Sequence, residues 1–349
     1  MSSQVLFISY DGLTDPLGQS QILPYLQGLS AKGHQITILS CEKPQVFQQQ
    51  QHRLKQLCEQ AKIDWRYCFY TKNPPVISTF SDLGKMKRMA KKLQEEKKFT
   101  IVHCRSVLTV GIGSALQKRG AKLVFDIRGF WAEERVDGTL WSLWNPLHLL
   151  NYRYFKAKQE QFYRNADHVV TLTQNAVEYL KQTFELPQEK LSVIPCSVDL
   201  NHFARDEGSE EVQQLREELQ LSTAHPLICY SGSLGTRYQI TEMLDCYQQI
   251  ARAFSASKFL IVSNSDTQDL QQKARELGIL DEIVLSTTDY QNIPNYLQLA
   301  DIALYFIYPG KSGKAVSPTK QAEFLSMGVP IITNGGIGDS EKLIAENGV

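Results

Sequence analysis

The sequence predicts an α/β protein of two domains, each with a parallel β-sheet covered by helices on both faces. Three observations lead to this fold class. Short apolar runs alternate with longer amphipathic segments, the alternation begins again near residue 227, and the 349 residues suffice for two domains. A hydrophobic share of 42% and a charged share of 21% are typical of a soluble globular protein.

The first half of the chain contains six runs with the length and composition of strands. They cover residues 5–9, 35–40, 65–69, 101–104, 123–127 and 168–172. Between them, helical periodicity predicts helices over residues 19–32, 45–61, 80–97, 107–118 and 148–165. Parallel strands need such crossover connections, so the pattern favours one parallel sheet.

The second half repeats the pattern after an acidic, helix-prone stretch at residues 206–221. Its predicted strands cover residues 227–231, 259–263, 283–286, 302–305 and 331–333. We therefore assign residues 1–204 and 205–349 to two Rossmann-like domains, which we expect to face each other across a ligand-binding cleft. Residues 346–349 resemble the start of another strand, so we expect a second domain that is truncated at its C-terminus.

Charge is distributed unevenly along a chain of zero net charge. Residues 1–200 hold 26 basic and 18 acidic residues, whereas residues 201–349 hold 11 and 19. Much of the positive charge lies in a basic helix at residues 85–98, with a thin apolar stripe at Leu83, Met86, Ala90 and Leu93. This pattern predicts either contact with an anionic membrane or a solvated helix face. We expect no nucleic-acid partner.

Targeting signals and metal motifs are missing from the sequence. No apolar run approaches the roughly 18 residues of a membrane helix, and the N-terminus lacks a signal peptide, so we expect a cytoplasmic protein. The seven cysteines form no CxxC pairs, which predicts reduced thiols and no zinc site.

The most informative segment, residues 317–332, reads as a loop, a short helix, a glycine stop and a strand. Ser317 or Thr319 can cap the helix, Pro318 suits its first turn, and Gly328 suits a left-handed C-terminal residue. Lys320 in the first turn is unfavourable beside the helix dipole unless an anion binds there. Glu323 can accept hydrogen bonds from sugar hydroxyls, so a diphosphate beside a ribose fits this segment. The alternative is an ordinary capped helix with a solvated lysine.

Two loops of the first domain follow strands. In residues 10–20, Gly12 and Gly18 are too far apart for a GxGxxG fingerprint, which argues against an NAD enzyme but allows Gly18 a binding role. In residues 126–135, Arg128 could grip a phosphate, and Asp126 or Glu133 could accept a proton from a hydroxyl nucleophile. The alternative is a set of ion pairs that locks this loop.

Two glycine-containing loops of the second domain are candidates for phosphate binding. Residues 230–237 run from a strand into a turn with Gly232 and Ser233, after which Arg237 supplies charge. Residues 309–316 combine glycines with two lysines but do not match the P-loop pattern, which argues against a nucleoside triphosphatase.

These segments together resemble glycosyltransferase family 4, whose members are retaining, metal-independent enzymes of the GT-B fold. The resemblance rests on residues 193–203, the turn at Gly232, residues 300–303 and residues 317–330, and it extends over nearly the whole chain. The junction motif departs from the family pattern, because Cys196 and Ser197 replace an Asn-Gly pair.

The resemblance implies roles for individual residues. Glu323 matches the second glutamate of the family's E-x7-E motif, which binds the ribose, whereas the first falls at Ala315. The family's usual arginine falls at Ser233, so Arg237 and Lys320 become the candidates for the diphosphate. The remaining donor contacts would come largely from backbone groups of Gly313, Lys314, Ala315 and Val316, with Ser317 beside them.

The implied reaction is hexosyl transfer with retention, from a nucleotide diphosphate sugar to a hydroxyl of a glycan or lipid-linked acceptor, without a metal or further cofactor. Such activity would serve polysaccharide or glycolipid synthesis. Three alternatives stay open: a sugar-nucleotide epimerase, a degenerate non-catalytic GT-B binding protein and, less favoured, an NAD-linked oxidoreductase. Ala315 and the early end of the chain favour the non-catalytic protein.

Overall fold

The computed structural model describes residues 2–74, 77–206, 208–235 and 237–347. They form two compact units, of which unit 1 holds residues up to Glu133 and Trp141–Pro195. Unit 2 holds Glu134–Leu140 and the residues from Cys196 onward. The sequence predicted the boundary between the two domains after residue 204, whereas the chain enters unit 2 for the second time at Cys196. No described helix is both long enough and apolar enough to cross a membrane.

Unit 1 is a seven-stranded parallel sheet with helices in the connections. Its strands are β1 (Gln4–Ser9), β2 (Gln35–Glu42), β3 (Asp64–Phe69), β4 (Ile101–Arg105), β5 (Lys122–Asp126), β6 (His168–Thr171) and β7 (Leu191–Val193). The order is β3-β2-β1-β4-β5-β6-β7, and every pair is parallel. The order in which the chain adds strands to the sheet reverses between β1 and β4. Ligands of such sheets bind at this point, beside the carboxyl ends of the strands.

The helices of unit 1 follow the predicted periodicity closely. They are α1 (Leu23–Ala31), α2 (Pro44–Gln60), α3 (Ile77–Lys97), α4 (Val107–Gln117), α5 (Trp131–Asp137), α6 (Pro146–Asn165) and α7 (Gln174–Phe184), of which α5 belongs to unit 1 only as far as Glu133. A π-helical turn, Gly18–Ile22, precedes α1. Helix α7 and strand β7 were not among the predicted elements.

Unit 2 is a five-stranded parallel sheet that confirms the second Rossmann-like prediction. Its strands are β8 (Leu227–Ser231), β9 (Lys258–Val262), β10 (Ile283–Ser286), β11 (Ile302–Leu304) and β12 (Ile331–Ile332). The order is β10-β9-β8-β11-β12, so the reversal falls between β8 and β11. Its helices are α8 (Glu210–Glu218), α9 (Ile240–Ala253), α10 (Gln268–Leu277), α11 (Ile293–Leu297), α12 (Thr319–Ser326) and α13 (Ser340–Asn347).

Two local predictions were wrong. Residues 131–137 were expected in a loop but form α5, because the mixture of charges and aromatic rings hides its short helical pattern. The last described residues form α13 rather than the start of a strand. Gly348 and Val349, which also belonged to that prediction, lie outside the described residues.

The apolar stripe of α3 faces the protein. Met86, Ala90 and Leu93 are buried and Leu83 is partly buried, where α3 packs on β2, β3 and α4. Beyond its first turn, α3 therefore exposes mainly its cationic face.

Candidate functional site

Helix α12 begins beside the turn that follows β8, as the sequence suggested. Pro318 occupies the N-cap, and no side chain caps the helix, so the capping roles of Ser317 and Thr319 are not observed. The Ser317 hydroxyl instead accepts a 3.2 Å hydrogen bond from the backbone N–H of Cys196. Gly328 has φ of +69°, which confirms its left-handed position after the helix.

Lys320 is buried among aromatic rings. Its side chain lies in the interior of unit 2, and the residue is only 5% exposed. The ammonium nitrogen lies 3.9 Å from the centre of the Tyr230 ring, 3.8 Å from Tyr238 and 5.8 Å from Tyr305. Among the described residues it has no hydrogen-bond partner. Cation–π attraction offsets part of the desolvation cost of such a charge.

Glu323 lies one helical turn after Lys320 and is partly buried. Burial lowers the pKa of the Lys320 amine to about 7, although the charge of Glu323 acts in the opposite direction. Burial also raises the pKa of the Glu323 carboxyl to about 7, although the positive charge of Lys320 lowers it. The pKa values of both groups therefore lie near neutral pH, and perturbed values of this kind are common at functional sites.

The turn after β8 places its backbone over Lys320. Gly232 has φ of +132°, and a Cβ atom at this position would lie 3.0 Å from the Lys320 Nζ atom. The positive φ therefore favours glycine at this position, and any other residue would also have to displace the Lys320 ammonium slightly. Ser233 follows in this turn, and its carbonyl accepts a hydrogen bond from the Tyr230 hydroxyl. Thr236 of the same turn lies outside the described residues.

Arg237 lies at the end of this turn and pairs with an acidic residue. Its guanidinium forms a 2.6 Å ion pair with Glu134. A cavity of about 200 Å³ lies beside this pair, lined also by Asp137, Tyr308 and Ser312. Arg237 is thus a partly exposed cation at a cavity, held by a carboxylate.

Residues 311–315 form a 3₁₀ turn rather than an open loop. Asp137 accepts a 2.7 Å hydrogen bond from the Ser312 backbone N–H. Gly313, Ala315 and Val316 are buried, whereas Lys314 is exposed. At position 315, where the family motif has its first glutamate, the alanine is only 1% exposed, so no carboxylate is available there.

The candidate catalytic residues of unit 1 take part in ion pairs. Asp126, at the end of β5, lies 3.6 Å from Arg128 and 3.3 Å from the His103 ring. Burial alone raises the pKa of Asp126, but the charges of Arg128 and His103 hold it below its ordinary value. Glu133 is buried and pairs with Lys156. The pair of Asp126 with Arg128 is one that the structural alternative predicted, whereas the pairing of Glu133 with a lysine was not predicted. A catalytic role for Asp126, Arg128 or Glu133 stays a prediction.

The loop after β1 is organised by a carboxylate that the sequence did not suggest. Glu42, fully buried at the end of β2, accepts hydrogen bonds from the backbone N–H groups of Leu13 and Thr14, at 2.7 and 3.1 Å. Gly18 packs so tightly on Gly12 that a Cβ atom would lie 2.2 Å from its carbonyl oxygen. Gly18 is therefore required for the packing of this loop, and its predicted binding role is untested.

Sequence reasoning found Lys320, Glu323, Gly232 and Arg237 but missed the three tyrosines and the roles of two α5 carboxylates, Glu134 and Asp137. A tyrosine at the end of a buried strand, as in β8, was the available signal. Among the described residues, no group of three or more His, Cys, Asp or Glu side chains is arranged to hold a metal ion.

Comparison with solved structures identifies proteins of the same fold. HepE from Anabaena, crystallised with UDP-glucose, matches with a TM-score of 0.67 at 14% identity, over 98% of this chain and 82% of that chain. Sucrose-phosphate synthase from Thermosynechococcus elongatus matches with 0.70 at 14%, over 98% and 83%. WaaG, a glycosyltransferase involved in lipopolysaccharide biosynthesis, matches with 0.66 at 12%, over 98% and 84%.

Sequence comparison gives the family. A search of curated proteins finds no match. The family model described as Glycosyltransferase Family 4, however, matches residues 21–202, more than half of the chain. The match begins before α1 and ends past β7, so it covers most of unit 1 and does not include the motifs at Gly232, residues 300–303 and residues 317–330. The chain belongs to glycosyltransferase family 4 and has the GT-B fold.

Proposed function

We propose that the protein transfers a hexosyl group, with retention, from a nucleotide diphosphate sugar to a hydroxyl acceptor in polysaccharide or glycolipid synthesis. The observation that carries this proposal is the buried Lys320 ammonium, which lies without a hydrogen-bond partner under the Gly232 turn at the start of α12. Such a cation is costly unless it serves an anionic ligand. The Anabaena protein HepE has been crystallised with UDP-glucose, which supports a nucleotide sugar as the donor.

The proposed chemistry breaks the bond between the sugar's anomeric carbon and the diphosphate oxygen. The acceptor hydroxyl forms the new bond on the same face, and its proton passes to the departing diphosphate. Arg237, Lys320 and the N–H groups at the start of α12 would stabilise the negative charge that develops on the leaving group. These fixed cations would take the place of a metal ion, which makes the reaction metal-independent.

Other donor contacts follow from the same assignment. Glu323 would accept hydrogen bonds from the ribose, and backbone groups of residues 313–316 would hold the sugar beside Ser317. Ser233 would contribute its backbone N–H to the diphosphate. Asp126 or Glu133 would receive the acceptor's proton if the diphosphate does not, and Arg128 would steady the leaving group.

We further propose that the enzyme works in the cytoplasm and takes a glycan or lipid-linked acceptor. The exposed cations of α3, within the basic segment 85–98, support contact with an anionic membrane, because their charge attracts acidic lipids.

Titration calorimetry with UDP and GDP tests the donor site. Lys320→Ala and Glu323→Ala should each weaken binding by about 1–3 kcal/mol, the scale of a lost charged hydrogen bond. Lys342→Ala is the control, since this lysine is exposed on α13 and has no part in the proposed donor site. Unchanged affinity in both variants would remove Lys320 and Glu323 from the site. A thermal-shift screen against nucleoside diphosphates tests by a second method whether the full chain binds them, because ligands of the folded state raise its melting temperature.

Turnover distinguishes the alternatives. Release of nucleoside diphosphate from a panel of nucleotide sugars, dependent on an acceptor, supports the transferase. Conversion of one nucleotide sugar to another without an acceptor indicates an epimerase. Binding without turnover, even with acceptors from cell extract, indicates a non-catalytic binding protein, which the buried Ala315 favours over the epimerase.

A further inference from the structure

Helix α6 and the residues just before it expose an apolar face, which we call the Trp144 face. It consists of Leu143, Trp144, Leu147, Leu150 and Tyr154, all of them exposed. Trp144 is 97% exposed and Leu147 is 72% exposed. Residues 147, 150 and 154 recur at helical spacing, so they share one side of α6. Large apolar side chains that are exposed together on one side of a helix, unlike ones scattered singly, mark an interaction site.

The Trp144 face is held in place. Asn145 caps α6, because its side-chain oxygen accepts a 2.9 Å hydrogen bond from the Leu147 backbone N–H. Nearby in the chain, the rings of Trp131, Trp141 and Phe155 pack on one another with centroid distances of 4.6–5.9 Å. The backbone that carries Trp144 therefore lies between Trp141 of this cluster and the N-cap of α6.

The charge around the Trp144 face is positive. Residues 138–159 contain no aspartate or glutamate, but they contain Arg153, Lys156 and Lys158. Lys156 is committed to Glu133, which leaves Arg153 and Lys158 beside the apolar side chains. Lys158 lies 6.0 Å from the centre of the Tyr154 ring, so its charge borders the face directly.

The same layer of unit 1 carries a second apolar and cationic surface. Helix α3 packs on α4 and α4 packs on α6, so all three cover one face of the sheet. Because α3 and α6 each follow a strand of a parallel sheet, both begin at the carboxyl edge. The first turn of α3 exposes Ile77 and Phe80, and its later turns expose Lys87 and Arg88.

We propose that the Trp144 face lies in the interface of an anionic lipid bilayer. Tryptophan and tyrosine favour the headgroup level, leucines enter the acyl boundary, and the cations of α6 and α3 contact lipid phosphates. Charge complementarity favours lipid over a second copy of this chain, because residues 138–159 of a second copy would offer no carboxylate to pair with Arg153 and Lys158, whereas lipid phosphates would. This inference does not depend on the donor chemistry proposed above.

Vesicle flotation of the full chain tests the proposal. We expect the protein to float with vesicles that contain phosphatidylglycerol and not with pure phosphatidylcholine. The variant Trp144→Ser/Leu147→Ser/Leu150→Ser should lower the partition coefficient by about tenfold or more, since it removes most of the apolar anchor. The control variant Phe254→Ser/Leu343→Ser, which alters exposed apolar side chains of unit 2, should float like the unaltered chain.

Fluorescence supplies a second readout. Brominated lipids should quench the tryptophan emission of the bound protein, and Trp144→Phe should remove most of that quenching while flotation persists. The proposal is overturned if the chain does not bind anionic vesicles, or if the triple variant binds them equally well. It is also overturned if light scattering shows a dimer that the triple variant disrupts while vesicles are not bound. A thermal shift with UDP, measured on the same samples, reports the donor site separately.

Discussion

The Lys320 ammonium nitrogen lies 3.8 Å from the centre of the Tyr238 ring, so its charge is stabilised by an aromatic face and not by a hydrogen bond. Tyr230 takes a similar position on the end of β8. Aromatic faces attract a cation without directing it, which leaves the ammonium able to turn toward a phosphate oxygen. The glycine at position 232 keeps the space above the nitrogen open.

The stability of unit 2 should depend on pH through the buried pair of Lys320 and Glu323. In the folded protein the pKa of Lys320 is lowered to about 7, so the unfolded chain binds more protons above pH 7 and stability rises as pH increases. The pKa of Glu323 is raised to about 7, so the folded protein binds more protons below pH 7 and stability falls as pH rises toward 7. The pair therefore destabilises unit 2 most near neutral pH.

The variant Lys320→Met/Glu323→Gln should remove this dependence. We expect it to be more stable than the unaltered protein near pH 7 by on the order of 2 kcal/mol, with a smaller difference at pH 5 and pH 9. Hydrogen exchange of peptides from β8, corrected for intrinsic exchange rates, measures the local free energy of opening. A difference that stays constant across this pH range would contradict the assignment.

Gly232→Ala should damage both stability and nucleotide binding. Its φ of +132° is unfavourable for alanine, and the new Cβ atom would press on Lys320 Nζ at 3.0 Å. Strain of this kind costs about 1–3 kcal/mol. Gly235→Ala is the matched control, because no atom lies within 4 Å of its Cβ position and its φ is not positive. Melting temperature and UDP affinity should fall only in the first variant; an equal effect of both would indicate general sensitivity of the turn.

The sequence predicted what depends on local pattern. The buried runs that became β1 and β8, the helix that starts before Lys320 and the left-handed Gly328 are all encoded within a few neighbouring residues. The aromatic cage of Lys320 was not predictable, because Tyr230, Tyr238 and Tyr305 reach it only when β8, β11 and α12 pack together. For the same reason, the pairing of Arg237 with Glu134, more than a hundred residues away in the chain, left no pattern in the sequence.

Glu134→Gln should tighten the binding of nucleoside diphosphates. The carboxylate of Glu134 forms a 2.6 Å ion pair with Arg237, the proposed diphosphate ligand, so an incoming anion must compete with it. Both side chains are partly exposed, and the expected gain is therefore modest, about 0.5–1 kcal/mol. Arg237→Gln should weaken binding instead. Calorimetry at low and high salt gives both values, and a weaker affinity in Glu134→Gln would mean that this carboxylate assists the ligand.

Glu133→Gln should destabilise unit 1 even if Glu133 has no part in catalysis. Its buried carboxylate pairs with Lys156, and the removal of one partner leaves the other charge uncompensated. Burial lowers the pKa of Lys156, but the charge and hydrogen bond of Glu133 outweigh it and raise that pKa, which shows how strongly the pair is coupled. Lys156 keeps some solvent contact, so we expect a loss of about 2–3 kcal/mol, below that for a fully buried pair.

The double variant Glu133→Gln/Lys156→Met separates the ion pair from other roles of Glu133. Because methionine leaves no buried charge, the double variant should lose less than about 1 kcal/mol. Urea unfolding followed by tryptophan fluorescence measures this directly, since all four tryptophans, at positions 65, 131, 141 and 144, belong to unit 1.

If the double variant is stable and still transfers sugar at the unaltered rate, Glu133 is structural. If it is stable but inactive, the carboxylate itself is needed for the reaction, as the sequence suggested. A double variant as unstable as Glu133→Gln would show instead that the loss does not come from the uncompensated lysine.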